Sequence, residues 1–127
     1  MSMNFPSELF YSKSHEWVRI NGETAQVGLT DFAQHELGDI VFVNLPEVGE
    51  VSVVGERIAD VESVKAVSDI FCPLTGRVKA VNEAVMDAPE LINTDPYGTW
   101  LFEVEDIVKK EEFLDASAYE QYCKEGK

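Results

Sequence analysis

Ile58-Ala59-Asp60-Val61-Glu62-Ser63-Val64-Lys65-Ala66-Val67-Ser68-Asp69-Ile70-Phe71 decides how this chain is read. β-prone residues run up to Glu-Ser-Val-Lys-Ala and away from it. Strands are predicted over 56–63 and 67–71, with Lys65 at the tip of the hairpin between them. No other lysine or arginine lies in the stretch. Such a tip lifts one amine clear of a rigid sheet, where a modifying enzyme can acylate it and turn it into a swinging arm. A lysine at a turn is more often plain surface. Three features weigh against that here. Val64 and Ala66 are small or apolar, unlike an ordinary polar tip. Glu62 stands three residues before the lysine and Asp69 four after, an acidic frame that an enzyme could read. The flanking strands are long enough to hold the tip rigidly.

Outward from this hairpin, period-two alternation dominates the first hundred residues. Residues 16–20 read as a strand with Trp17 and Arg19 on one face and Val18 and Ile20 on the other. Asn21-Gly22 is a strong hairpin signal, since both residue types tolerate positive φ. Residues 24–29 form the return strand. Thr30 or Asp31 can cap a short helix over 32–37, which Gly38 ends. Further strands are predicted over 39–45, 50–54, 77–82 and 99–105. Val48-Gly49-Glu50-Val51 and Leu74-Thr75-Gly76-Arg77-Val78 form a weak internal echo on either side of Lys65. A pseudo-symmetric flattened barrel would set the two side by side, although glycine turns recur in any all-β domain. From 107 to 124 the spacing turns helical, with Phe113, Leu114, Tyr119 and Tyr122 facing inward. Ser117-Ala118-Tyr119-Glu120 fits a capping box for a second helical start. The expected organisation is one domain over 1–127, with a β core over about 10–105 and a tail of two short helices over about 106–125.

The composition narrows the function classes. The 127 residues are 45% hydrophobic, which suits one globular domain. No apolar run approaches the roughly 20 residues of a membrane-spanning helix. The net charge is −14, from 24 acidic and 10 basic side chains. That argues against nucleic acid and against anionic membrane surfaces. It leaves two readings open, simple solubility or steering toward partners with basic rims, and it disfavours self-association, so a monomer is expected. Met1 to Ser14 reads as neither a secretory signal nor an Arg-rich transit peptide. A bacterial-type cytoplasmic protein is expected, or a mature mitochondrial matrix chain. Cys72 and Cys123 are far apart, in no CxxC and near no histidine cluster, so neither a zinc site nor a disulfide is indicated. Cys72 is expected to be a small buried residue.

An enzyme is hard to build from this inventory. His15 and His35 are isolated, no serine sits in a nucleophile elbow, and no phosphate loop is present. Carboxylates abound, but no pair is singled out by spacing. A Schiff-base lysine would want burial, whereas a hairpin tip is solvated.

Ser14-His15-Glu16-Trp17-Val18, Val27-Gly28-Leu29-Thr30-Asp31-Phe32-Ala33-Gln34, Leu37-Gly38-Asp39-Ile40-Val41-Phe42-Val43, Leu45-Pro46-Glu47-Val48-Gly49, Val61-Glu62-Ser63-Val64-Lys65-Ala66 and Pro89-Glu90-Leu91-Ile92-Asn93 follow one another in order. On these segments the chain resembles the glycine cleavage system H proteins, and the resemblance runs from about Tyr11 to Tyr122. The resemblance implies a mainly β lipoyl/biotinyl-type barrel-sandwich hybrid with short helices. It implies a non-catalytic carrier with lipoic acid in amide linkage on Lys65, and Glu62, Ser63, Val64 and Ala66 as the residues read by a lipoate-attaching enzyme. The implied partners are the pyridoxal-phosphate-dependent glycine decarboxylase, which loads an aminomethyl group, the tetrahydrofolate-dependent aminomethyltransferase, which removes it, and dihydrolipoyl dehydrogenase, which reoxidises the dithiol. Biotinyl domains are similar but set their lysine between methionines, unlike Val64 and Ala66. Donation of lipoyl groups to other proteins, a stand-alone H-like protein serving another lipoate pathway and an unmodified acidic interaction module are the remaining readings; intact mass separates lipoyl, biotinyl and unmodified chains. The chain departs from the family in a loop one residue shorter at Gly98-Thr99, and in Cys72, where alanine or serine is more usual.

The aminomethyl adduct would be lost to water on a bare tether. The expectation is therefore that the loaded arm folds back and a carboxylate holds its ammonium. Glu16, Asp69 and Glu62 are the candidate acids, with Leu29 as an apolar contact.

Overall fold

The computed structural model describes residues 4–125. Of the unit expected over 1–127, residues 1–3 and 126–127 lie outside that range. The strands are β1 (Phe10–Tyr11), β2 (Glu16–Asn21), β3 (Thr24–Leu29), β4 (Ile40–Asn44), β5 (Val51–Ser52), β6 (Arg57–Ser63), β7 (Val67–Phe71), β8 (Leu74–Val81) and β9 (Phe102–Lys110). The helices are α1 (Asp31–Leu37), α2 (Ala84–Asp87), α3 (Leu91–Thr94) and α4 (Ala116–Lys124). They form two antiparallel sheets, one ordered β1-β2-β3-β9-β8-β5 and the other β4-β6-β7. Val18, Val27, Val43, Val61, Ile70, Leu74, Val78 and Val104 meet between the sheets and are at most 2% exposed. A second cluster of Leu9, Tyr11, Trp17, Tyr97 and Tyr119 fastens α4 to the first sheet. This is the mainly β architecture that the alternation predicts. Among the described residues no helix is long and apolar enough to cross a membrane.

Several local readings are met. Thr30 caps α1, its Oγ1 accepting from Ala33 N at 3.1 Å, and Gly38 ends the helix with φ 79°. The two glycine-bracketed segments are indeed neighbours: Val51 pairs with Arg77 and Ser52 with Gly76. Trp17 and Arg19 share a face, the guanidinium lying 4.8 Å from the ring centre.

Others are corrected. Asn21 still pairs with Thr24, so the turn is Gly22-Glu23, with positive φ at Gly22 alone. The predicted helical tail over 106–125 begins too early. β9 continues to Lys110 because β8 offers it partners, Thr75 opposite Lys109 and Leu74 opposite Lys110. Backbone pairing overrides the helical spacing there. A single helix follows rather than two, and its cap is Asp115, which accepts from Ala118 N at 2.8 Å, not Ser117. The last strand starts at Phe102 rather than residue 99.

Candidate functional site

The β6–β7 hairpin carries Lys65 at its tip. The ladder closes at Glu62 opposite Val67. Beyond it every amide of the turn is engaged. Ser63 N donates to Ala66 O at 2.8 Å, and Ser63 Oγ accepts from Lys65 N at 3.2 Å and Ala66 N at 3.0 Å. Val64 N donates to Asp39 O at 3.0 Å, which ties the tip to the α1–β4 junction. The turn is thus rigid at the backbone while Lys65 is exposed. Its side chain lies beside Gly38, with Cε 3.6 Å from where a Cβ would stand.

The junction under the lysine is itself clamped. Asn93, at α3, donates from Nδ2 to Gly38 O at 2.9 Å and to Gln34 Oε1 at 3.0 Å, and accepts from Ile40 N at 2.9 Å. One amide side chain therefore holds the end of α1, the start of β4 and, through Asp39, the lysine tip. The sequence reading quoted Asn93 within a motif but gave it no role. Its partners lie 53 to 59 residues away, so no local pattern reveals them.

The sequence-predicted acids fall in different settings. Glu62 is half-buried and Asp69 exposed, both on the outer face of the small sheet. Glu16 is 1% exposed. Its Oε1 accepts from Ser12 Oγ at 2.5 Å and Ser14 Oγ at 2.6 Å, and its Oε2 accepts from Phe71 N at 3.3 Å. Burial pushes the Glu16 carboxyl up from its ordinary value, against the opposing pull of those three donors. Phe71 ends β7, so this carboxylate spans from the large sheet to the far end of the lysine hairpin. The hairpin strand between them, 67–71, covers about 13 Å at strand rise. Leu29 pairs with Glu16 across β2–β3 and is 5% exposed, part of the main core.

Cys72 is 1% exposed, and burial pushes its thiol up, so it stays protonated and closed to exchange. The shortened loop is closed by Asp95, whose Oδ1 accepts from Gly98 N at 3.2 Å, and Pro96 O accepts from Trp17 Nε1 at 3.0 Å. Among the described residues no group of three or more His, Cys, Asp or Glu side chains could hold a metal ion.

An exposed primary amine on a backbone-locked hairpin, over a two-sheet β scaffold, is the arrangement that a lipoyl/biotinyl-type carrier requires. Lys65 is exposed, and Gly38 beside it has no side chain to crowd it. The family model described as glycine cleavage H-protein matches residues 9–126. The glycine cleavage system H protein of Lachnoclostridium phytofermentans is 55% identical over 123 residues, covering 96% of this chain and 97% of that one. That of Herpetosiphon aurantiacus is 52% identical over 120 residues, covering 94% and 93%. The crystal structure of the Mycobacterium marinum H protein superposes with a TM-score of 0.86 at 41% identity, covering 95% of this chain and 98% of that one. The chain belongs to the glycine cleavage H-protein family. It is accordingly a non-catalytic shuttle of the glycine cleavage system, bearing lipoic acid covalently on a lysine.

Proposed function

We propose that Lys65 is the lysine that carries the lipoyl group, and that Glu62, Ser63, Val64 and Ala66 are what a lipoate-attaching enzyme reads around it. The tip carries this reading: four consecutive turn amides are bonded, yet the one amine stays exposed. During attachment the unprotonated Nζ attacks an activated lipoyl carbonyl. The C–N bond forms, the activating group leaves with its electron pair, and the nitrogen releases a proton. The attached group supplies a disulfide that takes up the aminomethyl group of decarboxylated glycine and is returned as a dithiol. The proposed partners are the pyridoxal-phosphate-dependent glycine decarboxylase, the tetrahydrofolate-dependent aminomethyltransferase and dihydrolipoyl dehydrogenase. A monomer in a bacterial-type cytoplasm completes the reading, supported by the charge of −14 and by bacterial relatives.

The reading extends to the loaded amine. Asp69 is exposed and Glu62 half-buried on the outer face behind the tip, where an ammonium can approach them from solvent. Glu16 accepts from neutral donors alone, and an ammonium delivered to it would pull its raised pKa back down. Reaching it requires the Ser12–Ser14 cover to open. Decay of the loaded form in Asp69→Asn and Glu16→Gln tests the two sites, and a variant whose decay matches the parent removes that acid.

Intact mass after incubation with a lipoate-attaching enzyme tests the central assignment. The parent chain should gain one lipoyl increment. Lys65→Arg should remain folded and gain nothing, since guanidinium is a poor acylation target. A lipoyl increment on Lys65→Arg would place the group elsewhere.

A further inference from the structure

We propose that the outer face of the β4-β6-β7 sheet is the docking surface for the enzyme that acylates the lysine, and that this enzyme meets it with an apolar shelf flanked by basic groups. The inference rests on Lys65 being the attachment residue. Partners directly opposite in an antiparallel ladder share a face. Phe42 pairs with Glu62, and Glu62 with Val67, which makes one row across all three strands immediately behind the tip. Asn44, Asp60 and Asp69 make the next row. The opposite face carries Val43 and Val61 into the core. The outward positions of a half-buried sheet are ordinarily polar. Here Phe42 is 47% exposed and Val67 69%, and Val64 on the turn is also 69% exposed. A cluster of exposed apolar side chains on one face marks a contact surface.

The acidic residues of both rows set the partner's charge. Asp60 is 2.8 Å from Arg57, whereas among the described residues neither Glu62 nor Asp69 has an ion-pair partner. A basic rim on the incoming protein would complement them.

The lysine's reach selects the occupant. An acylating enzyme must bring its reacting carbonyl to Nζ itself, within one bare lysine side chain of the sheet. It must also lift that side chain from beside Gly38. It cannot do so without covering the first row. Enzymes that act at the far end of the attached arm work a full arm's length away.

The test is lipoyl transfer onto the full-length unmodified protein with a lipoate-attaching enzyme, lipoate and ATP, read by intact mass. Phe42→Ala/Val67→Ala and Glu62→Gln/Asp69→Asn should each raise the KM for the protein about tenfold while kcat stays near the parent value. The acidic pair's effect should shrink at high salt. Equilibrium binding of the enzyme to Lys65→Arg, which cannot turn over, should weaken by the same factors when the double substitutions are added. Val108→Ala, 81% exposed on the other sheet, should leave both readouts unchanged. Should the Phe42 variant unfold, Val67→Lys tests the same face from a position whose side chain is outside the core. Unchanged KM and binding in folded variants would overturn the proposal. So would a loss confined to turnover with glycine decarboxylase, which would assign the face to that enzyme. Failure of the attachment reading is distinguishable, because it shows as mass gain on Lys65→Arg.

Discussion

Glu16 shows how one residue can be legible in type and not in setting. Its place in Ser14-His15-Glu16-Trp17 marks it out, yet nothing in the sequence says that Ser12, Ser14 and the Phe71 amide enclose it. Its raised pKa gives a signed prediction. Well below its ordinary 4.5 the carboxyl is protonated in both folded and unfolded chains, and burial costs little. As pH rises through 4.5 the unfolded chain ionises first, so native stability falls until the buried carboxyl ionises too. Glu16→Gln removes this dependence. The Tm of the variant minus that of the parent should therefore rise as the pH is raised above about 4.5, followed by scanning calorimetry. A flat difference would mean that Glu16 ionises as readily folded as unfolded. Gly28 gives a second, purely steric prediction. It pairs with Trp17, and a Cβ there would lie 2.5 Å from two atoms of the indole ring. That ring is fully buried and held by Pro96 O and Arg19, so it cannot retreat. Gly28→Ala should cost about 1–3 kcal/mol as over-packing, seen as a Tm lower by several degrees. An unchanged Tm would show that the indole has room to shift.

Between elements, a relay of contacts runs from α3 to the Lys65 tip. Asn93 fixes Gly38 and Ile40, Asp39 between them accepts from Val64, and Val64 adjoins Lys65. Asn93→Asp keeps the acceptor for Ile40 N but sets a carboxylate against Gly38 O and Gln34 Oε1. It should speed hydrogen exchange at the Val64 amide by about tenfold or more, the equivalent of about 1.4 kcal/mol, while core amides such as Val61 change little. Gln34→Ala, which leaves the Gly38 bond in place, should change Val64 far less. Equal acceleration of Val64 and Val61 in Asn93→Asp would reduce Asn93 to general stability. The contrast with the hairpin is one of range. Strands β6 and β7 and Lys65 were readable because alternation, turn and lysine lie within fourteen consecutive residues. Asn93 was not, because its contacts are made by tertiary folding. The tail was misread for a related reason. Asp106 takes φ 53° and interrupts the alternation of β9, so Ile107 and Val108 no longer display period two along the sequence. Only the pairing with β8, remote in sequence, makes that segment a strand.

At the scale of the whole molecule, the charge is unevenly placed. Strands β8 and β9 of the large sheet carry four basic residues, Arg77, Lys79, Lys109 and Lys110, against three acidic ones, Glu103, Glu105 and Asp106. On the small sheet that carries the lysine, three acidic residues, Asp60, Glu62 and Asp69, stand against one basic residue, Arg57. A chain of net charge −14 with this asymmetry turns its lysine sheet toward positive potential as it approaches a partner. The same net charge would also serve solubility alone, and kinetics separates the two roles. The Debye length shrinks from about 30 Å at 0.01 M salt to about 8 Å at 0.15 M, so steering is strong in the first condition and largely screened in the second. The association rate with the acylating enzyme, measured by stopped flow, should fall by about tenfold over that range while the dissociation rate changes little. Asp69→Lys should lower the association rate at low salt and have little effect at high salt. Lys109→Glu, on the distant sheet, should change it much less than Asp69→Lys does. If the two substitutions shift the rate by equal amounts in opposite directions, only total charge matters and the asymmetry has no orienting role. If neither rate responds to salt, the acidity serves solubility, and the lysine sheet must find its partner by apolar contact alone.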